Sequence, residues 1–153
     1  FWDEKGKAGY WFPSDAARNS TVEWFPNSQL RDKIGGIQTR HTLLIADACF
    51  GGAILQTRSA FSAAAPLGVN KLYEAKSRKA MTSGNQEEVP DKSVFMEYLI
   101  KRLTENKEKY LSSEVFFSSF KPAVMSNSLT IPQFGVIQNA GDEGGDFIFI
   151  KKE

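Results

Sequence analysis

A run of ten residues, 43–52, constrains the fold of this chain more than any other feature. It reads L-L-I-A-D-A-C-F-G-G and contains the only cysteine of the 153-residue sequence. The apolar first part predicts a fully buried strand, because short apolar runs that end at turn residues are typical of strands inside a sheet. The two glycines predict a tight turn after it. Reactive groups of α/β proteins collect at the carboxyl ends of such strands, so the run predicts an α/β fold with a thiol at a functional edge.

Cys49 ends the predicted strand, and two interpretations of it stay open. A single cysteine is often a small core residue. Its position before Gly51 and Gly52, which allow a substrate backbone to approach closely, favours a nucleophile. The chemistry is then attack of a thiolate on a peptide carbonyl, followed by hydrolysis of the acyl-enzyme. A thiol is ionised to only about a few per cent at neutral pH, so a base or a positive environment is expected beside it.

His41 is the only histidine, but it lies too far along the chain to be that base. If residues 40–49 form one strand, the distance from His41 to Cys49 is roughly 26 Å at about 3.3 Å per residue. A general base must come within about 3 Å of the proton that it removes, or act through one water. We therefore interpret His41 as structural, and the sequence itself holds no catalytic dyad.

Composition excludes several classes of function. The net charge of +1 gives no electrostatic argument for nucleic acid or for a membrane surface, so neither partner is expected. No apolar run approaches the roughly 18 residues of a membrane span. A single cysteine excludes an internal disulfide and a multi-cysteine metal site, and it is compatible with a reducing cytoplasm. A hydrophobic content of 41% in 153 residues suffices for one domain with a real core.

Periodicity and turn residues predict strands that alternate with helices along the chain. Strands are expected at residues 9–13, 40–48, 77–83, 132–137 and 146–151, and helices at 29–34, 94–103 and 112–124. Pro122 is expected to disturb the last turns of the third helix. Residues 53–72 are rich in Ala and Ser and predict a mobile connection with a short helix near its end. This alternation of elements predicts a layered α/β domain.

Residues 41–52, H-T-L-L-I-A-D-A-C-F-G-G, resemble the nucleophile strand of caspase-like cysteine peptidases, the bacterial relatives of caspases and metacaspases. Three further segments resemble the same family, in the family's order. Residues 9–16 resemble the strand after the catalytic-histidine loop, residues 77–84 the strand that lines the substrate cleft, and residues 132–149 the closing segment. The resemblance implies a three-layer α/β/α caspase-like (caspase/hemoglobinase) fold with a mostly parallel central sheet.

The sequence departs from the family pattern in two places. Gly51 stands where a serine is common. The family's catalytic histidine lies in a Gly-His-Gly loop just before a segment like residues 1–9, and that loop is not in the sequence. The resemblance therefore implies that residues 1–153 are the C-terminal portion of one peptidase domain, whose first strands and general base lie in a missing N-terminal segment. It also implies an oxyanion hole made by the Cys49 backbone N–H and a donor from that segment.

The resemblance gives Asp47 and Ser83 roles in substrate binding. Asp47 has the same strand parity as Cys49, so both side chains are expected on one face. In metacaspase-like members the matching acid forms the floor of the specificity pocket and binds Arg or Lys, since a carboxylate and a guanidinium share two parallel hydrogen bonds. The alternative is a structural acid at the strand end. Ser83 either lies near the substrate or simply terminates its strand.

Residues 53–76 follow the nucleophile strand, where many caspase-like enzymes are processed. Cleavage after basic residues would make Arg58, Lys71 and Lys76 candidate self-cleavage sites. An uncut surface loop is the alternative interpretation.

Two groups of acidic residues are candidate calcium ligands, because some metacaspases are activated by calcium. They are Asp3 with Glu4, and the cluster Asp142, Glu143 and Asp146. Neither group has the spacing of a calcium loop, so we expect solvated turns and no cofactor.

The resemblance thus implies a cysteine endopeptidase that cleaves proteins or peptides after Arg or Lys. The alternative is a catalytically inactive caspase-like interaction or regulatory module. A third interpretation is an unrelated α/β hydrolytic domain that uses Cys49 differently. The position of the strand at residues 42–48 distinguishes a caspase-like domain from this third interpretation, because a caspase-like sheet holds the strand in its middle.

Overall fold

The computed structural model describes residues 2–3, 6, 8–17, 19–49, 54–56, 66–84 and 92–152. These residues form nine strands and four helices. In chain order they are β1 (Trp2–Asp3), β2 (Ala8–Trp11), β3 (Phe25–Pro26), α1 (Asn27–Gly36), β4 (His41–Cys49), β5 (Leu55–Gln56), α2 (Pro66–Glu74), β6 (Ser77–Gly84), α3 (Val94–Glu105), β7 (Tyr110–Ser112), α4 (Ser113–Asn127), β8 (Gln133–Ile137) and β9 (Ile148–Ile150).

Four strands form the central sheet, in the order β4-β6-β8-β5. β4 and β6 are parallel, whereas β8 is antiparallel to both β6 and β5. The sheet is therefore mixed, and the expectation of a mostly parallel sheet is wrong. The reason is that two helices, α3 and α4, connect β6 to β8 and bring the chain back in the opposite direction. β4 lies at one edge of these four strands and not in their middle, where a caspase-like sheet holds it.

Each face of the sheet carries a hydrophobic core. On one face Ala80 of β6 packs in a cluster with Ile34 of α1. On the other face the next residue, Met81, packs with Phe95 of α3 and Phe120 of α4. Because neighbouring residues of a strand project to opposite faces, α1 covers one face of the sheet, and α3 and α4 cover the other. The chain is thus a mixed α/β protein.

The most apolar strand is not the most buried one. Leu43 and Leu44 of β4 are half-buried and Ile45 is 39% exposed, so the expectation of a fully buried strand is wrong. β6 carries several polar side chains, yet seven of its eight residues are buried. Position explains the difference. β6 has a strand on each side, whereas β4 has a neighbouring strand on one side only within the part of the chain that the structure describes.

Arg78 shows how β6 accommodates a charge in the interior. Its side chain is fully buried. The guanidinium donates hydrogen bonds of 2.8–3.2 Å to the carbonyl oxygens of Ile37, Thr39, Arg40 and Ser77. Three of these acceptors lie in residues 37–40, which connect α1 to β4. The side chain therefore joins that connection to the start of β6.

Local signals set the helix ends. Ser93 caps α3 by accepting from the Met96 N–H at 3.0 Å. Ser112 caps α4 by accepting from the Val115 N–H at 3.3 Å. α4 continues through Pro122 to Asn127, so the expected disturbance of its last turns is absent. Val124, beyond the proline, is fully buried, and this packing stabilises the last turns.

Candidate functional site

The carboxyl ends of β4 and β6 form the candidate active site. Cys49 is the last residue of β4. Because β4 and β6 are parallel, their carboxyl ends meet at the same edge of the sheet, and Cys49 lies opposite Gly84 in the register. We call this end of the strand pair, residues 46–49 of β4 and 82–84 of β6, the β4–β6 edge. Open α/β sheets hold their ligands at the carboxyl ends of their strands.

A β-bulge immediately precedes Cys49. Ala46 pairs with Thr82 and Cys49 pairs with Gly84, so β4 has one more residue than β6 between these two pairs. A bulge interrupts the alternation of side chains along a strand. The parity argument, which places Asp47 and Cys49 on one face, assumes a regular strand and does not apply here. A role for Asp47 in substrate binding stays a prediction.

Asp47 and Ser83 are neighbours across the strand pair, because residues 47–48 run alongside Ser83 of β6. Their environments differ. Asp47 is exposed, so its carboxylate lies at the surface and not at the enclosed pocket floor that the resemblance implies. Ser83 is 1% exposed, and its Oγ has no hydrogen-bond partner among the described residues. An unpartnered buried hydroxyl costs about 1–3 kcal/mol, which makes Ser83 an unusual member of this edge.

The loop that precedes β8 also lies at this edge, and the sequence did not point to it. β8 is antiparallel to β6, and Gln133 pairs with Thr82. Residues 128–132 therefore lie beside the end of β6, and a Cβ added to Gly84 would be 3.3 Å from the Thr130 Cβ. Leu129 in this loop is 90% exposed. An isolated leucine in a polar turn was the only signal in the sequence, and its position depends on the direction of β8.

His41 lies at the opposite end of β4. Its Nδ1 is 3.0 Å from Ser77 Oγ, and its Nε2 is 2.9 Å from the Tyr73 carbonyl oxygen. Both ring nitrogens are thus engaged, and the ring packs on Tyr73 with 4.9 Å between centroids. Ser77 is fully buried, so the His41–Ser77 pair presents no accessible nucleophile. These contacts fit the structural role predicted for His41.

Asp142 is engaged by protein donors. Its Oδ2 accepts from the Arg78 N–H at 2.8 Å and lies 3.5 Å from Lys79 Nζ. The side chain is 5% exposed, so the expectation of a solvated turn is wrong for this residue.

Asp146 is buried as well, at 2% exposure. Its carboxylate accepts from Ser113 Oγ and from the N–H groups of Glu114 and Phe147. It therefore binds the amino end of α4, and a solvated turn is wrong here too. Among the residues that the structure describes, no group of three or more His, Cys, Asp or Glu side chains is arranged to hold a metal ion. Glu4 lies outside those residues.

Residues 53–76 contain regular structure at both ends. Leu55–Gln56 form β5, which was not predicted, and Pro66–Glu74 form α2, the short helix expected near the end of the segment. Lys71 is exposed on α2, and Lys76 is half-buried just before β6. Arg58 lies outside the described residues.

Comparison of the chain with protein-family models gave no match, and neither a curated protein nor a solved structure matched it. Over the described ranges, no helix has the length and apolar character needed to cross a membrane. The functional assignment therefore depends on the sequence pattern and on the arrangement of the β4–β6 edge.

Proposed function

We propose that this chain belongs to a caspase-like cysteine endopeptidase in which Cys49 is the nucleophile. One observation carries the proposal: Cys49 ends a strand whose parallel neighbour ends beside it at Gly84. The bulge before Cys49 adds support, because bulges are frequent next to active sites, where they re-aim a side chain. Helices on both faces of the sheet support the three-layer caspase-like fold that belongs to the same proposal. The edge position of β4 among the described strands fits that fold only if a further strand pairs with its other side, and without such a strand it favours an unrelated α/β domain.

In the first half of the reaction the Cys49 thiolate adds to the carbonyl carbon of the scissile peptide. The oxyanion that forms accepts a hydrogen bond from the Cys49 backbone N–H. The carbon–nitrogen bond then breaks, and the leaving amine takes the proton that the general base removed from the thiol.

In the second half water attacks the thioester. The base removes a proton from this water as its oxygen bonds to the carbonyl carbon. The carbon–sulfur bond then breaks, the peptide acid leaves, and the base returns the proton to the Cys49 sulfur. His41 has no part in these transfers, because both of its nitrogens are engaged at the far end of β4. The proposal therefore places the general base on a residue outside this sequence.

Asp47 is the proposed acid for cleavage after Arg or Lys. Its exposed carboxylate beside the strand end is accessible to a substrate guanidinium or ammonium. An exposed ion pair contributes about 1 kcal/mol or less, whereas enclosure by a bound substrate strengthens it. The contact is therefore expected to set preference among substrates. Ser83 is buried at 1% exposure, so a role for it in substrate binding stays a prediction.

Labelling of the intact protein tests the nucleophile. We expect an arginyl chloromethylketone to alkylate Cys49 at least tenfold faster than an aspartyl one, as followed by peptide mass spectrometry. Iodoacetamide serves as the control for general thiol reactivity, and Cys49→Ala should abolish labelling of the peptide that contains residue 49. The proposal fails if iodoacetamide labels Cys49 while both chloromethylketones react no faster than with a free thiol.

Asp47→Asn tests whether Asp47 sets the preference for Arg or Lys. Asp32→Asn is the matched control, since both acids are exposed. Asp47→Asn should lower labelling by the arginyl reagent about fivefold and leave iodoacetamide labelling unchanged. Equal effects of the two substitutions would remove Asp47 from the proposed pocket and leave the nucleophile assignment intact.

A second candidate function is an inactive caspase-like interaction module. The observation in its favour is that the only histidine is held at the end of β4 opposite Cys49. In that case the intact protein binds peptides ending in Arg or Lys without cleaving the corresponding fluorogenic substrates.

A further inference from the structure

A half-open cavity of about 630 Å³ lies between α2 and the ribbon formed by β7 and β9. Small-molecule sites commonly have volumes of about 300–1,000 Å³. Tyr73, in the α2 wall, contacts His41 at the end of β4 that is opposite to Cys49. The cavity is therefore separate from the candidate active site.

One wall is the outer face of the ribbon. Tyr110 pairs with Ile150, and Ser112 pairs with Ile148, so Tyr110, Ile148 and Ile150 project from the same face. The intervening residue Phe149 packs on the core cluster of α3 and α4. The ribbon thus contributes its inner face to the core and presents an apolar outer face to the cavity.

The other wall is one face of α2. Val69, Asn70 and Tyr73 line the cavity. Tyr73 lies four residues after Val69 and three after Asn70, which places its side chain beside both on one face of the helix. The end of α2 is attached to the chain before β9, because the Asp146 N–H donates to the Leu72 carbonyl at 3.0 Å. This hydrogen bond joins the two walls, α2 and the ribbon, at one end of the cavity.

The wall residues indicate what the cavity accepts. Tyr73, Tyr110 and Ile150 are 45%, 54% and 54% exposed, and exposed apolar groups gathered around one concavity are typical of a ligand site. Glu108 and Lys109 also line it, and their opposite charges give no net attraction for an anion or a cation. Asn70 offers one amide that both donates and accepts.

We propose that this cavity binds an uncharged aromatic molecule of one or two rings that carries a single amide or hydroxyl group. The rings lie against Tyr73, Tyr110 and the two isoleucines, and the polar group bonds to Asn70. This binding is independent of the proposed peptidase activity, since it involves no residue of the β4–β6 edge.

Three probes that differ in charge test the proposal: benzamide, benzoate and benzylammonium. With methyl-labelled protein we expect benzamide to shift the NMR signals of Ile148 and Ile150 saturably, with a dissociation constant on the order of 1 mM. Benzoate and benzylammonium should bind at least fivefold more weakly. The same affinity for all three probes, or shifts that never saturate, would overturn the proposal.

Variants localise the binding. Val69→Phe fills the cavity and should abolish the saturable shifts, while Asn70→Ala should weaken benzamide about fivefold through the lost hydrogen bond. Ile150→Ala should weaken it too, whereas Ile100→Ala, on α3 with a similar exposure of 56%, should have no effect. Asn70 is exposed, so its variant is expected to fold even if Val69→Phe does not. Unchanged affinity in Asn70→Ala and Ile150→Ala would contradict the site.

Discussion

Two charged side chains, Arg78 and Asp146, are enclosed by the protein, and neither forms an ion pair with the residues that the structure describes. Arg78 donates to backbone carbonyls, and Asp146 accepts from backbone N–H groups and from Ser113. The residue pattern around Arg78, S-R-K-A-M-T-S, indicates a strand but gives no sign of burial. Three of its four acceptors come from residues 37–40, about 40 positions earlier in the chain, and no local pattern encodes them.

Replacement of Asp146 tests the stabilising role of the carboxylate at the start of α4. Asp146→Asn removes the negative charge from the helix N-terminus and one acceptor oxygen, so the free energy of unfolding should fall by about 2 kcal/mol. Urea denaturation followed by circular dichroism measures the change. Asp32→Asn is the control, because this acid is 71% exposed in its contact with Arg31. Equal stability of the two variants would contradict the role.

At the scale of elements, the sequence predicted where the strands of the site lie but not how they are buried. The expected bounds 40–48 and 77–83 differ by one residue at most from His41–Cys49 and Ser77–Gly84. Burial depends on which strands lie alongside, and this is a property of the whole sheet. The bulge before Cys49 was also unpredictable, because it arises from the pairing with β6 and leaves no signature in the run itself.

The attachment of α2 to the chain before β9 gives a prediction at this scale. A Cβ at Gly145 would overlap the backbone carbonyl of Ala75, which cannot move without displacing the helix end. Gly145→Ala should therefore lower the free energy of unfolding by about 1–3 kcal/mol. Gly36→Ala is the control, because a Cβ there meets nothing within 4 Å. Similar melting temperatures for both variants would contradict the close approach.

At the scale of the molecule, the sequence predicted the α/β class and one part of the candidate site. The part that it missed, residues 128–132, reaches the β4–β6 edge only because β8 returns antiparallel to β6. The family resemblance implied a mostly parallel sheet and so gave no reason to look there. Long-range strand order is set by core packing on both faces, which a single sequence read locally does not reveal.

The exposed position of the apolar strand β4 predicts self-association of the chain. It lies at the edge of the described sheet, and Ile45 is 39% exposed. Apolar edge strands pair with other chains, and a lysine placed on them opposes such pairing. We therefore expect sedimentation velocity to show concentration-dependent self-association of the chain, which Ile45→Lys reduces. Ile100→Lys, on the surface of α3, should leave it unchanged, and equal effects would remove β4 as the cause.

The buried guanidinium of Arg78 also fixes the register between the parallel strands β4 and β6. Slippage of β4 by one residue would carry residues 37–40 about 3.3 Å past the side chain of Arg78, beyond the reach of its hydrogen bonds. The same slip would move Cys49 away from Gly84. The hydrogen bonds of Arg78 at one end of the strand pair therefore fix the register that places Cys49 beside Gly84 at the other end.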